Sequence, residues 1–261
     1  MKRRTFLGMA LGGAAGSVGI AHGMGDAHQA RLFNPCLRLD PSLRNHALTQ
    51  AAFAGLDPNE IWDCHAHLLG FGESGGGAWV APKMRSIFHL RMYAQFNFYL
   101  NAACIDPGKK QVDVDYIARV AELMDDFPTG AKAMLMAFDH VHDMRGAPDL
   151  EQSAFHVPNA YAAKVARSRP DRFAWTASIH PYRLDAVTAV ADAARDGAVA
   201  VKWLPPAMGI DPASTLCDRF YDAMVKLDLP LVTHGGEEKA VEGALQDGFG
   251  NVLKLRRPLE R

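Results

Sequence analysis

The sequence predicts an α/β protein built on a parallel sheet, and three observations carry that reading. Short apolar runs alternate with longer amphipathic ones along most of the chain. Ionisable residues follow the strand-like runs five times over: His65 and His67, Asp139 and His140, His180, Lys202, and His234. The composition, 49 % hydrophobic and 22 % charged, is that of an ordinary globular chain with a sizeable core. In parallel sheets chemistry gathers at the C-terminal ends of strands. One edge decorated repeatedly therefore predicts a barrel-like arrangement whose mouth is the site.

The elements follow in order. Residues 60–67 (EIWDCHAH) read as a buried strand, and a glycine-rich loop runs from Gly70 to Gly77. Helical spacing covers Met84–Ala103 and Asp113–Phe127, the second with apolar Ile117, Val120, Ala121 and Met124. Ala131–Phe138 is a strand, Asn159–Arg167 a helix, Phe173–Ile179 a strand and Leu184–Asp196 an alanine-rich helix. Ala198–Leu204 is a strand, Thr215–Leu227 a helix, Leu231–His234 a fifth strand, and Leu253–Leu259 a further helix. Strand–helix repetition of this kind implies right-handed crossovers.

Upstream lies an address. Arg3 and Arg4 precede Phe6 and Leu7, and a glycine- and alanine-rich stretch then runs to about Ala21. A charged start and a modest apolar run match a signal peptide, and the paired arginines are similar to the twin-arginine type. The stretch is too short and glycine-rich to span a bilayer, which takes ~20 apolar residues. Residues 1–30 are thus expected to direct export to the periplasm, residues 31–59 to form a loosely patterned leader, and residues 60–261 the domain. With Lys+Arg 28 against Asp+Glu 29, no basic field points to nucleic acid, and a small-molecule substrate is the expected partner. Cys36, Cys64, Cys104 and Cys217 lie far apart without a CxxC pair, which argues against a disulfide framework.

The chemistry concentrates in Asp63-Cys64-His65-Ala66-His67. Side chains alternate along a strand, so both imidazoles are expected on one face with Asp63 continuing it. Two neutral imidazoles aimed at one point make half of a zinc, iron or manganese site.

Asp63-x-His65-x-His67, followed by Lys202 on the fourth strand and His234 on the fifth, resembles the amidohydrolase superfamily. The segments Val201–Pro205, Met208–Pro212 and Leu231–Glu238 are similar to its amidohydrolase-related branch, which also holds the aminocarboxymuconate-semialdehyde decarboxylase-like enzymes. The resemblance implies a (β/α)8 barrel of TIM type and a metal-activated water attacking an amide, ester or lactone carbon. It implies His65, His67 and His234 as ligands of a divalent metal, Zn2+ being the expected ion. Asp63 and Lys202 become catalytic candidates; Lys202 is either carbamylated or, as we favour, a substrate or barrel-mouth contact. His180, Asp139, Trp203 and Glu237 become substrate-binding candidates. Asp139, His140 and His142 form a second HxH-like cluster in a loop, where substrate contact or solvation is expected rather than metal.

The pattern is incomplete, because the superfamily needs a sixth-strand His and an eighth-strand Asp. No histidine follows His234 and the last Asp is Asp247. Residues 60–261 count 202, whereas eight units take ~250. About five of eight strand–helix units are therefore expected, with an open edge that favours self-association or a missing C-terminal half. A chain so built is expected to be a poor enzyme by itself, or a non-catalytic exported metal-binding remnant. Decarboxylation by the same branch is a further alternative. Gly72-Glu73-Ser74-Gly75-Gly76 satisfies the serine-hydrolase G-x-S-x-G pattern, with Asp211 and His234 available as partners. No strand directly precedes Ser74 and Pro82 follows shortly, so a flexible active-site lid is the expected role of this loop.

Overall fold

A computed structural model describes residues 36–241, 243–244 and 246–261. The expected signal segment lies outside the described residues, as does the start of the leader. Five parallel strands form the main sheet: β1 (Trp62–His67), β2 (Lys132–Met136), β3 (Phe173–Ala177), β4 (Ala200–Trp203) and β5 (Leu231–Thr233). They neighbour one another in simple chain order. A doubly wound sheet reverses its strand order part-way, whereas consecutive order without reversal is barrel winding. The fold is that of an incomplete (β/α)8 barrel.

The crossovers carry helices α1 (Leu90–Ala102), α2 (Val112–Met124), α3 (Asn159–Ser168), α4 (Ala186–Arg195) and α5 (Asp218–Lys226). The predicted first helix begins later than its spacing suggested, because Pro82 turns residues 82–85 into a separate 3-10 turn. Every second strand residue enters the helix-facing core. Leu135, Ala137, Trp175, Ala177, Val201 and Trp203 pack there with Ala162, Val165, Val190 and Phe220. The intervening residues line the inner face, where the registers set His67 beside Met136, Met136 beside Thr176, Thr176 beside Ala200, and Lys202 beside Val232.

The leader is more ordered than its sequence pattern indicated. It holds short helices at Pro41–Arg44 and Ala47–Phe53, each with a side-chain cap, from Asp40 and His46 respectively. Asp126, just past α2, accepts from Leu39 N–H at 3.2 Å and pairs with Arg38 and Arg44. A disulfide joins Cys36 to Cys104 at a Cα–Cα distance of 5.6 Å. The expectation of no disulfide is thereby corrected. The two cysteines are 68 residues apart and meet only because the leader folds back onto the end of α1.

A loop closed over that many residues is stabilised by about 4 kcal/mol through the restricted unfolded chain. Cys36→Ser with Cys104→Ser should lower the unfolding free energy by an amount of that order, read by denaturant titration. An unchanged midpoint would show that the leader contributes nothing to the fold.

Candidate metal centre

The strand that carries the two histidines, β1, is irregular. Asp63 pairs with Ala133 and Ala66 with Leu135, so Cys64 and His65 together stand opposite one residue of β2. Such an inserted residue re-aims the side chains beyond it. The Asp63 carboxylate accepts from His65 N–H at 2.9 Å and so props the irregularity. The expectation that Asp63 continues the histidine face is corrected: it shares the register of helix-facing Ala133 and serves the backbone.

From the irregularity and just beyond it, His65 Nε2 and His67 Nε2 approach to 3.0 Å. Two ligands about 2.1 Å from one ion lie about 3.0 Å apart at a right angle and about 3.4 Å apart at the tetrahedral angle. β1 is an exposed edge strand and not the buried one expected, yet both imidazole pKa values lie below the ordinary one. Desolvation, Lys202 and His234 push His65 down against the opposing pull of Asp63. Desolvation, His65 and Lys202 press His67 down to about 4. Neutral imidazole is the ligating form. The His67 carbonyl accepts from the Tyr116 hydroxyl, which fixes the backbone beneath the ring.

His234 follows β5 and donates its backbone N–H to the Trp203 carbonyl at 3.1 Å. Its Nε2 lies 3.3 Å from the Glu237 carbonyl and its Nδ1 3.7 Å from the Glu238 carboxylate. Among the described residues no three ligand side chains converge on one point. The structure brings His65 and His67 together and turns His234 toward the following loop. That donor set fits half of a divalent-metal site, with His234 and Glu238 as the neighbouring donors.

Lys202 stands on the inner face of β4, only 2 % exposed. Burial depresses its pKa, and Glu238 opposes that shift. Glu238 is a candidate site residue that the sequence did not single out. It is 8 % exposed, and its charge acts on His67, Lys202 and Tyr99. Its Oε1 accepts from Ala240 N–H at 2.6 Å and Val241 N–H at 2.9 Å, which leaves Oε2 toward His234. Glu237, the expected one, faces solvent and pairs with Lys239 at 2.8 Å. The signal available was that two acidic residues follow Gly235-Gly236; which of them turns inward depends on the loop.

The other expected contacts lie elsewhere. Trp203 is fully buried on the helix side, stacked on Phe220 with ring centres 5.3 Å apart and donating Nε1–H to the Ile179 carbonyl. Strand alternation that turns Lys202 inward must turn Trp203 outward; the substrate-binding expectation for Trp203 is corrected. Asp139 accepts from His140 N–H, His180 N–H and the Arg183 guanidinium, each at 2.9 Å. His180 is fully buried, with Nε2 3.0 Å from the Met208 carbonyl. Both tie strand ends together instead of facing a ligand. His140 stacks on His156 at 4.1 Å, and His142 lies buried 5.1 Å from His180, so the second cluster is packed and not solvated.

The glycine loop is pinned. Ser74 Oγ and N–H both donate to the buried Asp113 carboxylate, at 2.7 and 3.0 Å, and Glu73 accepts from Val112 N–H at 2.8 Å. Glu73 thereby satisfies one free N–H at the start of α2, and Asp113 in that first turn holds the loop's own N–H groups, Phe71 included. A Cβ at Gly76 would sit 2.3 Å from the Tyr161 ring, so the glycines permit close packing. The flexible lid is corrected to a fixed wall. Ser74 is partnered by a carboxylate and not by an imidazole, and the serine-hydrolase geometry is not formed.

No family profile and no curated protein matches the chain. Solved structures with a similar fold include a 5-carboxyvanillate decarboxylase from Novosphingobium aromaticivorans, determined with manganese and 3-methoxy-4-hydroxy-5-nitrobenzoic acid bound. It is 16 % identical with a TM-score of 0.47, over 77 % of this chain and 62 % of that one. An uncharacterised TIM-barrel protein from Bordetella bronchiseptica is 15 % identical with a TM-score of 0.40, over the same shares. The chain spans about three-fifths of the length of each.

Acid should find the Asp139–His180 lattice first. Burial and then His142 hold His180 down to about 4 from an ordinary 6.5. A lowered histidine is neutral when folded, so its contribution is complete above about pH 6.5 and is lost as pH falls toward 4. Asp139 is desolvated, yet Arg183 and the His180 N–H hold its carboxyl below the usual range, so its contribution persists until lower pH. Asp139→Asn should destabilise the fold by about 3 kcal/mol at neutral pH, since one partner of a buried pair is removed. Urea unfolding of both chains between pH 4 and 7 reads both effects; a flat stability profile would contradict them.

Proposed function

We propose that the chain is a metal-dependent hydrolase of the amidohydrolase type, acting on an amide, ester or lactone carbon. The observation that carries this reading is the 3.0 Å approach of two neutral imidazole nitrogens at a barrel-type sheet edge. His65 and His67 would hold the ion, zinc by preference, with His234 completing the set. A divalent ion bound there lowers the pKa of its water and polarises a carbonyl. The remaining steps belong to the side chains. The free Glu238 oxygen, 3.7 Å from His234 Nδ1, receives a proton and returns it to the leaving group. The buried Lys202 ammonium faces the negative charge that develops on the attacked oxygen, in surroundings where such a charge is poorly solvated.

Decarboxylation at the same residues is the second reading. The cavity beside His67 is lined almost wholly by hydrocarbon, so an apolar substrate body seated there would hold its carboxylate outside it, at the poorly solvated mouth, where loss of that charge is favoured. In that reading Lys202 and Glu238 orient the carboxylate and supply the proton that replaces it.

Hydrolysis of a lactone and amide panel, assayed beside carbon dioxide release from carboxylated analogues, separates the two. Chelation should abolish either activity and added zinc restore it. Glu238→Gln should lower kcat by ~10²–10⁴ while metal content stays unchanged. Full turnover in the chelated protein would remove the metal from the reaction.

Export by the twin-arginine route belongs to the same proposal, since that route carries folded, metal-loaded proteins. Arg3→Lys with Arg4→Lys keeps the charge but removes the paired guanidinium groups. The variant should remain in the cytoplasm; normal periplasmic recovery would refute the assignment.

A further inference from the structure

A cavity of about 400 Å3 opens beside His67, between the end of β1, the inner side of α1 and the segment Ala240–Val241. Leu69, Val80, Met84, Phe96 and Val241 supply much of its wall. Among the described residues that wall holds no carboxylate, ammonium or guanidinium group, and His67 is its one imidazole. Its two tyrosine hydroxyls are already used: Tyr99 donates to the Ala240 carbonyl at 2.6 Å and Tyr116 to the His67 carbonyl. What the cavity offers a ligand is a wall mostly of hydrocarbon and one imidazole, that of His67.

The walls are held apart by bonds independent of any ligand. The last turn of α1, with Ala102 and Ala103 on the cavity, leads directly into Cys104 and its disulfide to Cys36. Opposite, Ala240 and Val241 donate their N–H groups to Glu238, while Tyr99 and the Gln95 amide hold the Ala240 carbonyl. The same short segment thus forms a cavity wall with its side chains and positions Glu238 with its backbone. Dry apolar space of about 150 Å3 is already enough to hold benzene, so the volume here takes a larger body.

We propose that this cavity is a specificity pocket for the apolar body of an amphiphilic small molecule. That body is an aryl or branched alkyl group of one to two rings' size, with its polar, reacting head directed at His67. The assignment rests on the reading of His65 and His67 as the metal-holding pair, which gives the head its place. It excludes substrates charged along their whole length, because an ion in the cavity would meet no counter-charge and lose its hydration.

The test is calorimetric titration of the zinc-loaded full chain with phenylacetate, 2-naphthylacetate and succinate. Both aryl acetates should bind at least tenfold more tightly than succinate. Ala103→Phe, which fills the cavity, should weaken 2-naphthylacetate tenfold or more with zinc content unchanged. Phe96→Ala, which enlarges the cavity, should shift the naphthyl-to-phenyl affinity ratio toward the larger probe, a ratio that partial unfolding does not move. Succinate binding as tightly as the aryl acetates would overturn the proposal, as would an unchanged ratio in both variants with full zinc. If His65→Ala retains zinc while the size preference persists, the metal assignment falls and the pocket stands.

Discussion

Everything at the mouth of this sheet depends on one irregularity in β1. A regular strand would space His65 and His67 two residues apart on one face, with Asp63 beside them. The register shift between Asp63 and Ala66 changes that arrangement. It sends Asp63 to the side of Ala133, where its carboxylate caps the displaced His65 N–H, and it leaves the two rings at 3.0 Å. Two cations at that distance would repel strongly, and desolvation with Lys202 nearby lowers both pKa values toward the neutral, ligating form. Geometry and protonation therefore reach the state a metal ion requires by the same route.

A buried ammonium and a buried carboxylate are each costly alone. Lys202 and Glu238 act on one another across the mouth, and the backbone of Ala240 and Val241 satisfies the carboxylate's second oxygen. The segment after β5 is thereby tied to the inner face, and through Tyr99 and Gln95 it is tied to α1 as well. The apolar cavity lies between these attachments. Chemistry and selectivity share one wall, so a change in cavity shape reaches the position of Glu238 through two hydrogen bonds.

The fold was largely legible because its signals are local. Apolar runs at Ala131–Phe138, Phe173–Ile179 and Ala198–Leu204 contain the observed strands; Asp139 and His180 follow the first two, and Lys202 lies within the third. The site was legible only as far as period-2 alternation holds. That rule places Lys202 inward and Trp203 outward, and it fails at Asp63, where the shift depends on pairing with β2 and leaves no mark in the residues themselves. Glu238 was hidden for a related reason. In Gly235-Gly236-Glu237-Glu238 either carboxylate could turn in, and Gly236, at φ +98°, sets a loop path that composition alone does not reveal. Cys36 and Cys104 meet through a fold-back of the leader, a long-range contact with no spacing signature. Asp139 and His180 stand where chemistry was expected, yet their hydrogen bonds are spent on the strand ends.

The central claim is that His65 and His67 hold one divalent ion. X-ray absorption at the zinc edge, on the full chain loaded with one equivalent, reads the ligand shell directly. The account predicts nitrogen scatterers at about 2.0–2.1 Å with the outer-shell pattern of at least two imidazoles, lost together in His65→Ala with His67→Ala. A shell of oxygen or sulfur alone, or an unchanged imidazole pattern in that double variant, would contradict it.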